Sequence, residues 1–226
     1  MPGGGAYSIA DAITSTGIIV GASLVSNGNV HAVAWKFSNG NYHIQDLGTL
    51  PGAPYSLPYD INERLQVVGV AYLDQSFTKY HGFLASQTGG WKDLGTLPGG
   101  GNSFADWMNN NGVVVGLATN ATFPNGVAVI WDTARRIHSI GTLAGGAQSY
   151  AGGIYDLGQV VGESTITGGD SHAFIWTQTG GMQDLNNMIS SNSGWVLNHA
   201  SAISNGGKIV GYGTINGATH GFLLAP

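Results

Sequence analysis

The feature that most constrains the fold of this chain is a motif that occurs five times. Each copy has a large apolar residue, a turn, a segment resembling G-x-V-V-G, and then a segment resembling H-A-F-x-W. The copies follow one another at intervals of 46 to 49 residues, and their first apolar residues are Ile13, Ile61, Met108, Ile154 and Ile203. A period this regular is typical of repeat architectures, so the chain is an array of one unit.

The pattern within one copy predicts four short strands joined by tight turns. Short Val and Ile runs alternate with Gly and Asn clusters, and no long window has helical periodicity. We therefore expect one antiparallel sheet of four strands in each repeat of about 47 residues, with the last repeat lacking its outer strand. The repeats cover approximately residues 6–50, 51–97, 98–143, 144–189 and 190–226, and together form a single domain, 1–226.

A small sheet cannot be stable alone, so neighbouring copies must stack face to face. Small residues on the first strand of each copy, such as Ala105 and Ala151, suit strands that crowd around an axis. The sequence therefore predicts an all-β, five-bladed β-propeller. A ring of six or more blades, completed by further sequence or a second chain, is one alternative. A linear solenoid or a sandwich is the other, although neither end resembles a polar capping repeat.

Composition excludes several classes of function. Seven Lys and Arg against twelve Asp and Glu give a net charge of −5, which is no footprint for nucleic acid. No cysteine is present, so thiol catalysis and Cys-based zinc sites are excluded. No apolar run approaches the roughly 20 residues that span a bilayer, and we expect no membrane insertion. The start, Met1 to Gly5, has no signal-peptide pattern and reads like the end of a preceding repeat.

The motifs H-A-F-x-W, D-L-G-T-L-P-G-G and I-N-x-x-G-x-V-V-G resemble the bacterial extracellular repeats called the HAF family. The resemblance covers essentially the whole chain, through five matches in register. It implies a secreted or cell-surface bacterial protein, and it implies no settled activity.

Two of the repeated polar residues have simple structural interpretations. Histidine opens the third strand in four copies, at His31, His81, His172 and His220. These histidines could suggest a ring of metal ligands, but neighbouring copies lie too far apart to share one ion. We expect each to hold a loop of its own blade by a hydrogen bond. The aspartates of the outer strand, Asp46, Asp93 and Asp184, are expected to be turn or strand partners.

Function is better sought where the copies differ, because a scaffold repeats and a site need not. The first strand holds such positions. If it lines an axis, the carboxylates of Asp11, Asp60 and Asp106 approach one another. The ligand-binding candidates beside them are Tyr59, Trp107, Tyr150 and His199.

Two chemistries fit that set, beside the simpler possibility that the aspartates line a water-filled channel. The aromatic rings would give apolar platforms for a carbohydrate or another small molecule. Alternatively, the three aspartates would hold Ca²⁺ in a metal-assisted hydrolase of esters or phosphoesters, with Asp106 and His199 as catalytic candidates. The first interpretation, an extracellular binding module with a site at the axial mouth, is the one that we favour. The sequence does not decide whether the protein is an enzyme.

Overall fold

A computed structural model describes residues 7–226. The N-terminal segment interpreted above, Met1 to Gly5, lies outside the described residues. The described chain is all-β except for one 3-10 helix, Leu185–Met188. None of its helices has the length and hydrophobicity needed to cross a membrane.

Nineteen strands form five antiparallel sheets. The first sheet contains β1 (Ser8–Ile13), β2 (Ile19–Leu24), β3 (Val30–Ser38) and β4 (Asn41–Gly48), and the second contains β5 (Tyr55–Ile61), β6 (Val67–Tyr72), β7 (Tyr80–Ser86) and β8 (Gly90–Asp93). The third contains β9 (Ser103–Met108), β10 (Val114–Ala118), β11 (Val127–Trp131) and β12 (Ile137–Gly141), and the fourth contains β13 (Ser149–Ile154), β14 (Val160–Thr165), β15 (Ser171–Thr177) and β16 (Gly181–Asp184). The fifth has three strands, β17 (Trp195–Ile203), β18 (Ile209–Ile215) and β19 (Ala218–Leu224).

The predicted one sheet per repeat is confirmed, as is the missing outer strand of the last repeat. Every sheet is a meander in which consecutive strands pair, as expected for strands joined by tight turns. The first strand of each later sheet packs across the second and third strands of the sheet before it. This gives a repeated-blade arrangement like that of a β-propeller, with the first strands side by side in chain order.

The core lies between the sheets, where one residue type recurs. The second Val of each G-x-V-V-G segment is fully buried in the first four copies, at Val20, Val68, Val115 and Val161. Indole groups close two of these interfaces: Trp91 and Trp131 donate through Nε1 to the carbonyl oxygens of Leu47 and Leu94, each at 2.8 Å. Burying each of these valine side chains contributes roughly 1.5–3 kcal/mol, so the stacked faces supply the stability that no single sheet has.

Hydrogen bonds from a serine at the same position of the repeat join the second, third and fourth sheets to the sheet before each. The Ser103 hydroxyl accepts from the Gly82 N–H at 2.9 Å and donates to the Gly95 carbonyl at 2.7 Å. Ser56 and Ser149 make the equivalent pairs of contacts with the sheets that precede theirs. A buried hydroxyl that satisfies two backbone groups avoids the cost of leaving them unpaired, so it fixes how the sheets dock.

The repeated histidines and aspartates form clamps between the third and fourth strands. His31, His81 and His172 reach the carboxylates of Asp46, Asp93 and Asp184 through Nδ1, at 3.1, 2.8 and 2.6 Å. The second oxygen of each carboxylate accepts a backbone N–H two residues later. The structural role predicted for the three aspartates is therefore confirmed, as is that of three of the four histidines; the fourth, His220, lies in the sheet that has no fourth strand and no such aspartate.

The two end sheets expose the faces that are buried at the internal interfaces. Val210 corresponds to the four buried valines, yet it is 43% exposed, and Leu223 beside it is 62% exposed. At the other end Ile13 is 62% exposed, whereas its equivalent Ile61 is buried. The faces that would meet if the first and last sheets closed a ring are thus open to solvent.

Candidate functional site

Every first strand contains one bulge at the same position in the repeat. At this position the pairing with the second strand skips one residue in each sheet, so that residue has no partner across the ladder. The residues skipped there are Asp11, Tyr59, Asp106, Gly152 and Ser201, and the last sheet has a second bulge at Asn198. A bulge twists the strand locally and re-aims the side chain that it carries. The fold therefore offers one redirected side chain per sheet, and these positions differ between copies.

The last glycine of the G-x-V-V-G segment makes these bulges possible. A Cβ atom added to Gly116 would lie 2.0 Å from the carbonyl oxygen of Phe104, and Gly69 and Gly162 have the same contact with Leu57 and Tyr150. The bulged strand approaches so closely that only glycine fits opposite it. The repeated glycine is thus part of the machinery that presents the variable side chains.

The bulged side chains of the first three sheets line one cavity of about 520 Å³. That volume is in the range of small-molecule sites. The wall is aromatic and acidic, and its residues are Asp11, Tyr59, Phe104, Asp106, Trp107, Leu117 and Tyr150. The first four sheets thus contribute to a single concave space. Five of the candidate site residues line it: Asp11, Tyr59, Asp106, Trp107 and Tyr150.

Asp106 is the most unusual residue of the site. It is only 9% exposed, and its Oδ2 atom is buried without a hydrogen-bond partner. Burial raises the pKa of Asp106 to about 7, because an unpaired carboxylate is poorly stabilised away from water. An unsatisfied buried carboxyl costs free energy, and such groups concentrate at functional sites.

The neighbouring tyrosines share this environment. Burial raises the pKa of Tyr59 above its ordinary value, with further contributions from nearby tyrosines, Asp106 and Asp11. Burial and then the Asp106 charge raise the pKa of Tyr150 to about 12. Both tyrosines therefore stay protonated and can donate a hydrogen bond. Trp107 is 40% exposed, so its indole ring can contact a ligand that enters from solvent.

The predicted metal set is not assembled, and this corrects the grouping of Asp11, Asp60 and Asp106. Among residues 7–226, no group of three or more His, Asp or Glu side chains could hold a metal ion. Asp60 does not line the cavity, because Oδ2 accepts from the Met108 N–H at 2.9 Å and Oδ1 from the Ile61 N–H at 2.8 Å. Its carboxylate links two sheets. Burial nevertheless outweighs these bonds and raises the pKa of Asp60 to about 6.

His199 lies beside the cavity, and it is not part of the cavity wall. Its ring stacks between Tyr212, at 5.1 Å, and Tyr150, at 6.4 Å. Nδ1 is 3.3 Å from Oε2 of Glu163, yet it is buried without a hydrogen bond that has acceptable geometry. In the described chain, two buried side-chain atoms have no hydrogen-bond partner, and they belong to Asp106 and His199. Both residues lie on first strands, in the two sheets that flank the sheet of Tyr150.

The sequence did not select three residues that shape the site: Phe104, Leu117 and Glu163. Phe104 was identifiable as a variable first-strand position. Leu117 and Glu163 occupy equivalent places on the second strand, where the copies carry Ala22, Val70, Leu117, Glu163 and Tyr212. The variation among the copies at that position could have indicated a functional site. Contact with the cavity depends on the bulge, which the sequence pattern did not reveal.

A run of aromatic rings leads from a surface loop to the cavity wall. Phe77 stacks on Tyr55 at 4.8 Å and contacts Tyr72 at 5.1 Å. Tyr72 then contacts Tyr80, and Tyr80 lies 4.5 Å from Phe104 between ring centroids. Such a run gives an apolar surface with hydroxyl groups at its edge, which suits an elongated or sugar-like ligand.

Comparisons with known proteins add little to this geometry. No protein-family model matches the sequence, and the search of curated proteins gives no significant match. Among solved structures, the chain is similar to the crystal structure of a triple arginine-to-alanine mutant of AofleA from Arthrobotrys oligospora. The two are 13% identical, the match covers 99% of this chain and 71% of that chain, and the TM-score is 0.42. A likeness at that TM-score supports no inference about fold or function.

Proposed function

We propose that this protein is a binding module whose five sheets are the blades of a β-propeller with an open seam between the first and last sheets, and whose axial cavity takes a small molecule or a carbohydrate. One observation carries the proposal: Asp106 is buried without a partner in a cavity lined by Trp107, Tyr59 and Tyr150. A stable fold has no use for an unsatisfied carboxylate among aromatic rings, whereas a ligand would satisfy it.

A fluorescence titration tests this function. Trp107 is exposed at the cavity, so ligand binding should shift or quench its emission, and the signal should disappear in Trp107→Phe. Trp131→Phe is the matched control. The Trp131 indole is fully buried and donates to the Leu94 carbonyl, so this variant should keep the ligand-dependent signal. No response to a broad panel of glycans and small metabolites would contradict the proposal.

The alternative function, a metal-assisted hydrolase of esters or phosphoesters, has one observation in its favour. The pKa of Asp106 is about 7, which suits a general base near neutral pH. Its requirement for clustered metal ligands is unsupported among residues 7–226. Ester hydrolysis that is lost both with chelator and in Asp106→Asn would favour the enzyme, and activity that survives both would end it.

We also propose that the chain is a HAF-type repeat protein and that it acts outside the cell. The support is the motif set, whose His and Asp members pair in three sheets. Detection of the protein in the culture medium or on intact cells of its source would agree with this location, and recovery only from the cytosolic fraction would contradict it.

A further inference from the structure

The axial cavity has a charge that a neutral ligand would leave uncompensated. Its wall carries two carboxylates, Asp11 and Asp106, and no Lys, Arg or His among the described residues that line it. Glu163 lies just beyond, in the adjoining groove that shares Leu117 and Tyr150 with the cavity. Every ionisable acid around the opening therefore favours a positive ligand.

The aromatic side chains provide the second element of cation recognition. Tyr59, Phe104, Trp107 and Tyr150 come from three different sheets and all border the same space. Among the described residues these four rings form no stacked or edge-on pair with one another. The Tyr150 and Trp107 side chains share a hydrogen bond, and a cavity of about 520 Å³ remains between the rings. The face of an aromatic ring attracts an organic cation within about 6 Å, and indole does so most strongly.

Resting on the binding function proposed above, we propose that the ligand of the axial cavity carries an organic ammonium group. The ammonium lies among the rings of Tyr59, Trp107 and Tyr150, and the Asp106 carboxylate is its counter-ion. The hydroxyl groups of a neutral sugar could donate hydrogen bonds to the same carboxylates, but they would leave the charge of the buried Asp106 without a counter-ion. A cation removes that cost, and its desolvated contacts with the aromatic rings add to the attraction.

The proposal carries a pH dependence. The pKa of Asp106 is about 7 in the free protein, and a bound cation lowers it, so binding releases a proton. The other titratable groups facing Asp106 are Asp11, Tyr59 and Tyr150, and the tyrosines stay protonated near neutral pH. Affinity for the cation should therefore fall about tenfold for each pH unit below 7 as Asp106 becomes neutral.

Calorimetric titration with choline and with its uncharged isostere 3,3-dimethylbutan-1-ol tests the proposal. Choline should bind at least tenfold more tightly than the isostere, and Asp106→Asn should remove most of that difference. Asp132→Asn is the control, because Asp132 follows β11, pairs with Arg136 and does not line the cavity, so the change should leave binding unchanged. Circular dichroism and thermal melting establish that each variant is folded.

The possible outcomes separate this inference from the proposed function. Equal binding of choline and its isostere, or affinity for choline that does not change between pH 6 and pH 8, overturns the ammonium inference. If neutral glycans quench Trp107 while choline does not bind, the inference fails and the binding function stands. If neither probe class produces heat or a Trp107 signal, both are contradicted.

Discussion

At the scale of single residues, the protein separates repeated polar groups from variable ones. The repeated His and Asp pair with each other in three sheets, and both are absent from the third sheet, which has Val127 and Ser139 at the two positions. Ser139 still accepts the Gly141 N–H at 3.1 Å, as Asp93 accepts the Gly95 N–H at 2.7 Å. The turn is thus preserved when the ion pair is absent.

We expect His81→Val and Asp93→Ser to be coupled, because the third sheet already carries this pair of residues. The double variant should lose less unfolding free energy than the sum of the single variants, by about 0.5–1 kcal/mol. Urea denaturation of the four proteins measures this coupling. Additive effects of the two substitutions would contradict the clamp.

The coupling free energy between His81 and Asp93 should also depend on pH. The hydrogen bond to Asp93 holds the pKa of His81 above its ordinary value. Burial opposes ionisation of Asp93, but its hydrogen bonds to His81 and the Gly95 N–H outweigh burial and lower its pKa. The raised pKa of His81 contributes stability that is fully present below about pH 6.5 and is lost as the pH rises. The lowered pKa of Asp93 contributes stability that is present above about pH 4 and is lost as the pH falls. The coupling should therefore be larger at pH 5.5 than at pH 8.5.

Asp106 should weaken the fold as pH rises. Its pKa is about 7 in the folded protein and about 4 when unfolded, so the folded state binds the extra proton between those values. Stability contributed by this group is therefore full below pH 4 and is lost by about pH 7. We expect Asp106→Asn to raise the unfolding free energy at pH 8 by roughly 2–4 kcal/mol and to change it little at pH 4. Asp11→Asn, at a more exposed carboxylate, is the control.

At the scale of the strand, function depends on a backbone irregularity. The bulge on each first strand redirects one side chain, and the glycine opposite leaves room for the bulged backbone. Structure and site are therefore linked through a residue, such as Gly116, that does not touch the cavity.

Gly116→Ala should damage both stability and ligand binding. Its Cβ would meet the Phe104 carbonyl oxygen at 2.0 Å, so the bulge that carries Asp106 must shift, at a cost of about 1–3 kcal/mol. Gly101→Ala is the matched control, because nothing lies within 4 Å of its added Cβ atom. Thermal melting and choline titration of both variants measure the effects, and a fully stable, ligand-binding Gly116→Ala would contradict the role given to the bulge.

At the scale of the whole molecule, one position of the repeat occurs in two environments. Val115 is fully buried between the third and fourth sheets, whereas Val210 is 43% exposed on the last sheet. The residue type, strand and sequence context are the same. The difference therefore reports whether a neighbouring sheet is present.

Aspartate at these two positions tests closure of the ring. Val115→Asp should lose about 3 kcal/mol or more of unfolding free energy, because an unpaired charge is buried. Val210→Asp should change it by less than about 1 kcal/mol. Chemical denaturation and light scattering give stability and oligomeric state together. An equally large loss at Val210 would mean that the first and last sheets close on each other, or that a second molecule covers the face.

The sequence by itself determined the repeat, the four-strand meander, the three-strand last sheet and the structural role of the His and Asp motifs. Those follow from periodicity and local hydrogen bonding, which are encoded within about 47 residues. Only the tertiary structure decided that Asp11 and Asp106 line one cavity while Asp60 joins two sheets, and that the end faces are exposed. Such facts depend on how a bulge turns one side chain and on whether a neighbouring sheet is present, and no local pattern of residues specifies either.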